Sequence, residues 1–269
     1  MPVNNKAFCA HRFVLGLILG VLFCLISTAT LAWSAVGHKL VADLAADLLT
    51  PGARAQSDEL LKGKTLNEVS AWPDKIRSYR PETAPYHYVH IPLWAKSYVP
   101  ERDSTRGKSV VTAIEEFHTV LSDRSRSFLE RMEALQFLIH FVGDLHQPLH
   151  VADRETAGGN SILVTINGRP MSLHKAWDKM LRPDLSQEET RQMLDTLRAF
   201  RDKSDISPWQ GGTPADWAWE TFQDAGNAFQ LPPEKILGDV YIQTFQPIIE
   251  RNLVKAGVRL AWLLNTALK

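Results

Sequence analysis

The sequence predicts an all-α domain carrying one small β-hairpin. Three observations lead there: apolar residues recur at helical spacing through most of the chain, one Asn-Gly pair separates two extended runs, and no internal repeat interrupts the pattern. From Val36 to Leu49 apolar residues return every three or four positions, and Thr50-Pro51-Gly52 reads as a stop. Lys108 to Leu121 and Phe128 to Leu145 form two more helical segments, divided by the polar stretch Ser122–Ser127. Pro183 to Asp202, Pro214 to Ala228 and Pro233 to Lys269 supply the rest, the last expected to break near Pro247. The hairpin falls at residues 160–173, because Asn167-Gly168 meets the positive-φ demand of a two-residue turn.

Residues 1–32 stand apart from this pattern. Lys6 and Arg12 precede an apolar run from Phe13 to Ile26, and Thr30-Leu31-Ala32 supplies a small-x-small cleavage site. That is the build of a secretory signal peptide, which leaves a single domain over residues 33–269, secreted or periplasmic. Both cysteines, Cys9 and Cys24, leave with it, so the expected mature chain has no disulfide. Loss of Lys6 and Arg12 turns 30 basic and 30 acidic residues into 28 and 30. A slightly acidic chain lacks the basic stripe of a duplex-DNA binder. If its substrate is a polyanion, the positive charge must come from bound metal.

Histidine and aspartate supply that possibility. His140 and Asp144 lie four apart on an otherwise apolar helix and so share one face. A buried imidazole and carboxylate are costly unless something satisfies them, and a divalent cation does so. Pro148 ends that helix and lets His150 turn back. His174 and Asp178 repeat the four-residue spacing after the hairpin, while His38, Asp74 and His87 are further candidates upstream. Imidazole and carboxylate without thiolate suit a hydrolytic Zn²⁺ site better than a closed structural one. A single such pair is more often an ordinary helix pair; two pairs plus His150 shift the balance. His118 and His146 read as structural or surface residues.

These segments together resemble the single-strand-specific zinc nucleases of the S-one/P-one and mung-bean type. The resemblance is carried by WSAVGH at 33–38, WPDKIR at 72–77, PYHYVHIP at 85–92, FLIHFVGDLHQPLHVAD at 137–153, GGN at 158–160, LHKAWD at 173–178 and AGVRLAWLLN at 256–265. It implies three zinc ions: one on Asp74, His87, His140 and Asp144, a second on His150, His174 and Asp178. The third would use the free amine and carbonyl of Trp33 with His38 and Asp144, so signal cleavage would create a ligand. It also implies hydrolysis of single-stranded DNA and RNA to 5′-phosphates and removal of 3′-phosphates from nucleotides. A zinc-bridged hydroxide would attack, with Asp74 orienting it. No stable protein partner is implied, and the expected state is a monomer free of the membrane.

Substrate contacts follow the same resemblance. Arg77 occupies the place of a basic residue beside the phosphate, where it would act as a two-pronged clamp; the other reading is a surface arginine. Tyr88 stands where an aromatic residue stacks an unpaired base, or else packs structurally. Some relatives use Asp three residues after the ligand histidine; His90 stands there here, so no base preference carries over. Asn160 positions an active-site carboxylate or serves its turn. Two rivals remain. A zinc phospholipase C shares the architecture, but its last pair typically ends in Glu, where this chain has Asp178. A non-catalytic zinc-binding helical protein would need the ligands and no open position.

Overall fold

The computed structural model describes residues 33–153, 155–182 and 184–269. The signal-peptide reading of residues 1–32 and the helix start at Pro183 lie outside them. The regular elements of the described residues are twelve α-helices, four short strands and three short 3₁₀ helices, one of which, Pro81–His87, ends on His87. In the first half are α1 (Ala35–Ala46), α2 (Pro51–Leu60), α3 (Leu66–Val69), α4 (Trp72–Ile76), α5 (Pro100–Asp103), α6 (Val110–Ser122) and α7 (Phe128–Leu145). The second half holds α8 (Pro148–Val151), α9 (Leu173–Asp178), α10 (Gln187–Lys203), α11 (Pro214–Ala225) and α12 (Asp239–Ala267). The strands are β1 (Ile91–Pro92), β2 (Ala152–Asp153), β3 (Leu163–Ile166) and β4 (Arg169–Ser172). The predicted mainly helical domain with one hairpin is what forms.

Helix α7 is the axis of the molecule. Its start is fixed by a reciprocal cap in which the Ser127 hydroxyl accepts from Glu130 N and the Glu130 carboxylate accepts from Ser127 N. From Ala134 onward nearly every side chain is buried, so the helix is enclosed on all sides rather than on one stripe. α6 and α12 pack along it, and α1 packs on α12. Trp33, Phe137, Phe141, Trp177 and Trp217 are among the largest fully buried side chains. No helix among the described residues is long and apolar enough to cross a membrane.

Four boundaries differ from the sequence expectation. Thr50-Pro51 ends α1's segment but also opens α2, because Pro51 sits in the first turn and the Thr50 hydroxyl accepts from Ala53 N. α12 runs unbroken through Pro247. A proline inside a helix costs roughly 3 kcal/mol, and burial of Ile249, Leu253, Val254, Ala256 and Leu260 beyond it outweighs that. α12 also begins at Asp239 rather than Pro233, and α10 begins at Gln187 under a Ser186 cap. The hairpin matches its prediction: β3 and β4 pair antiparallel, with Asn167 and Gly168 both at positive φ. A two-residue parallel pair, β1 with β2, was invisible to periodicity.

Candidate metal centre

Two segments far apart in sequence are tied together beneath α7. Val89 N donates to His150 O at 2.8 Å, and the His150 ring donates from Nδ1 to His87 O at 2.6 Å. The β1–β2 pair continues this seam. His87 and His150 are therefore fixed by the same backbone pairing. α7 brings His140 and Asp144 to His87, and α9 brings His174 and Asp178 to His150.

The candidates converge in three groups, each with ligand atoms within 4.8 Å of one another: Asp74, His87 and His140; His38, His140 and Asp144; His150, His174 and Asp178. His140 belongs to two of them. Asp144 bridges in the same way, with Oδ2 at 3.0 Å from His87 Nδ1 and Oδ1 at 3.3 Å from His38 Nε2. All nine predicted metal-site residues except Asp74 are buried.

The tautomers identify which atoms are bare. His140 Nδ1 faces Ser70 O at 2.8 Å, His150 Nδ1 faces His87 O, and His174 Nδ1 faces Gly158 O at 2.8 Å. A carbonyl oxygen only accepts, so each Nδ1 carries the proton and each Nε2 presents a lone pair. His150 Nε2 and His174 Nε2 then oppose each other at 3.0 Å, with Asp178 Oδ1 at 3.6 and 3.7 Å. Two lone pairs at that distance repel, and a shared cation between them and the carboxylate relieves it. Buried polar atoms without a hydrogen-bond partner also gather here: both His38 nitrogens, Asp74 Oδ1, His87 Nε2 and Asp144 Oδ1. The 3.3 Å approach of His38 to Asp144 lacks hydrogen-bond alignment. Such groups are costly when unsatisfied, so the residues fit a multi-cation centre.

Burial sets the protonation states. It lowers the imidazoles of His140 to about 3 and His150 to about 4, and holds His38 and His87 well below their ordinary value. These rings stay neutral and keep their lone pairs at neutral pH. Burial likewise raises Asp74 to about 6 and Asp178 to about 7, and lifts Asp144 well above the carboxylate range, with Asp74 adding to it. Arg77 pulls all three carboxyls back down. The guanidinium therefore acts on the whole centre, from the end of the short helix that carries Asp74.

Trp33 packs against this cluster. A Cβ at Gly143 would meet His38 Nδ1 at 2.9 Å and Trp33 Cδ1 at 3.8 Å. Ser34 N donates to Asp178 O at 2.6 Å, tying the start of the described chain to the third group. Tyr88 and His90 stack on each other, ring centroids 4.5 Å apart and planes 12° from parallel. Asn160 stays within its own turn, donating to Ala157 O at 2.7 Å. The neighbouring Gly158, at φ +61°, supplies the carbonyl that orients His174.

A family model described as S1/P1 nuclease matches residues 33–269. The chain belongs to the S1/P1 nuclease family. It is 31% identical over 279 residues to Endonuclease 1 of Arabidopsis thaliana, covering 93% of this chain and 91% of that protein. It is 30% identical to Nuclease S1 of Aspergillus oryzae, covering 88% and 95% respectively. Nuclease P1 of Penicillium citrinum is 33% identical over 54% of this chain and 57% of its own length. As a member of the S1/P1 nuclease family the chain is a hydrolase of nucleic acid, and its His/Asp groups answer the metal dependence that membership brings.

Sequence reasoning missed two members of the site. Gln147 is fully buried; its Nε2 donates to Asp178 Oδ1 at 2.7 Å while its Oε1 accepts from Leu149 N. One side chain thus caps the helix that carries His150 and holds the carboxylate of the same group. Gly143 is the other, since any Cβ there would enter His38. Gln in His-Gln-Pro-Leu-His, just before a helix-opening proline, was the available signal for the first. His146 and His118 are structural, as expected. His146 donates to Val142 O and accepts from Arg259, which with Lys255 pairs to Glu220. His118 meets Thr266 Oγ1 at 3.2 Å.

Proposed function

We propose that the chain hydrolyses single-stranded DNA and RNA to 5′-phosphate products, removes 3′-phosphates from nucleotides, and holds three zinc ions to do so. Membership of the S1/P1 nuclease family supports the nuclease part of this reading, and the opposed ring nitrogens of His150 and His174, 3.0 Å apart beside Asp178, support its metal part. The three zincs would sit on Asp74, His87, His140 and Asp144; on His150, His174 and Asp178; and on His38, Asp144 and the freed amine and carbonyl of Trp33. When bound, these cations supply Lewis acidity toward water and phosphate, and the positive charge that the chain lacks.

The chain's own residues do the rest. Asp74, the least buried of the nine ligand candidates, stands with His87 and His140. There it orients the attacking water and accepts its proton. Arg77, one turn along, binds a phosphate oxygen pair and steadies the charge that grows in the transition state. Tyr88, backed by His90, offers an aromatic face to an unpaired base, which favours a single strand over a duplex. Export and removal of residues 1–32 would complete the centre at Trp33.

Purified mature protein given single-stranded DNA, a 3′-mononucleotide and phosphatidylcholine in parallel tests this. Hydrolysis of the first two is expected. Cleavage of the lipid alone would assign a phospholipase C, and a metal-loaded protein inert on all three would assign a binding protein.

A further inference from the structure

Beside the centre lies a cavity of about 420 Å³, lined by His90, Pro92, Leu93, Trp94, Asp153 and Glu155. Its floor is the β1–β2 seam, the backbone that fixes His87 and His150. Trp94 stands on its wall with 72% of its surface exposed, which is unusual for the largest apolar side chain. The tryptophan is braced. Leu93 N donates to Asp153 O at 3.2 Å and Ala95 N to Pro92 O at 2.8 Å, so the turn that bears it is pinned on both sides. The Arg102 guanidinium lies 5.3 Å from the ring centre. Arg102 is itself gripped by Asp103 through two bonds of 2.5 and 2.9 Å and donates to Ser97 O at 2.6 Å. Buried Asp103 also accepts His90 N through its carbonyl at 3.0 Å. Trp94, Arg102 and the Tyr88–His90 stack are thereby one connected frame.

We propose that Trp94 is a stacking platform for a second unpaired base of the substrate strand, adjoining the Tyr88–His90 face. The proposal rests on the nuclease reading and adds a determinant of substrate length to it. Arg102 covers one side of the indole, and the exposed remainder meets a cavity within the size range of small-ligand sites. Asp153 and Glu155 on the same cavity repel a phosphate, so the base enters and its phosphates stay outside. Every base has a π-face, so this platform is tolerant of sequence, and its carboxylates accept from bases that carry amino groups. A mononucleotide has only one base and gains nothing from it.

The test compares Trp94→Ala and Trp94→Tyr with wild type on a single-stranded pentanucleotide and on a 3′-mononucleotide of the same base. For Trp94→Ala, KM on the pentanucleotide is expected to rise by roughly 5- to 100-fold, the loss of one stacked base. kcat on both substrates and KM on the mononucleotide stay within about twofold, and Trp94→Tyr recovers most of the loss. An unchanged KM on the pentanucleotide, or an equal loss on both substrates, would overturn the platform while leaving the nuclease reading intact. A wild type that cleaves neither substrate would overturn the nuclease reading, and the platform with it.

Discussion

Gln147 and Asp178 are 31 positions apart in sequence and meet at 2.7 Å in the interior, the amide nitrogen of one donating to the carboxylate of the other. The same glutamine accepts from Leu149 N, so the direction of its amide is fixed from both ends. Gln147→Met removes the donor with little change in volume and frees Asp178 to rotate. Gln147→Glu sets a second carboxylate against it. Both variants are expected to fold, to bind zinc at the His150 group about 10- to 100-fold more weakly, and to lose activity in proportion. Titration with a competing chelator measures this; wild-type affinity in Gln147→Met would remove Gln147 from the site.

Gly143 gives a steric prediction. Alanine there places Cβ 2.9 Å from His38 Nδ1, and His38 is hemmed in by the stacked His140 ring at 3.8 Å between centroids. Relief by rotating His38 away costs its ligand position. Gly143→Ala is therefore expected to lose one metal equivalent and most activity at a stability cost of about 1–3 kcal/mol. Full metal content by elemental analysis would contradict it.

Much of this was legible in the sequence. The His140–Asp144 and His174–Asp178 pairs announced themselves because a charged or titratable residue in an apolar helix demands a partner. Asn167-Gly168 announced the hairpin because few other residues accept positive φ. What stayed hidden depends on tertiary approach. Gly143 looks like an ordinary helical glycine until His38 is placed against it. Asn160 bonds within its turn, and the contact of Gly158 with His174 stays hidden because a backbone carbonyl leaves no mark on residue identity. The β1–β2 seam spans two residues on each side, too short to show a period. The break expected at Pro247 does not form, because local propensity cannot weigh the burial that carries α12 past it.

His146, which is not a ligand candidate, yields a pH prediction. Burial, with the nearby Arg259 cation, lowers its imidazole to about 3, against an ordinary value of about 6.5 in the unfolded chain. Between those values the unfolded chain binds a proton that the folded one refuses. Stability from this group is thus complete above about pH 6.5 and is lost as pH falls toward 3, at up to about 1.4 kcal/mol per pH unit. His146→Gln, which cannot titrate, is expected to flatten that part of the acid-unfolding profile. An unchanged slope by denaturant titration at several pH values would contradict it.

On the proposed reading, Trp33 would link export to chemistry. An amide nitrogen inside a chain has no lone pair to offer a cation, whereas a free α-amine does. Protein that keeps a few residues ahead of Trp33 is expected to fold normally, bind one zinc fewer and be nearly inactive, with activity appearing when those residues are removed by protease. Equal activity before and after removal would take Trp33 out of the centre.

The converged lone pairs and carboxylates call for cations to meet them. Zinc stoichiometry by elemental analysis, on mature protein whose amino terminus has been sequenced and which cleaves single-stranded DNA, tests this most directly. Three zinc ions per chain are expected, with activity lost on chelation and restored by zinc. Active protein with no bound zinc would contradict the account.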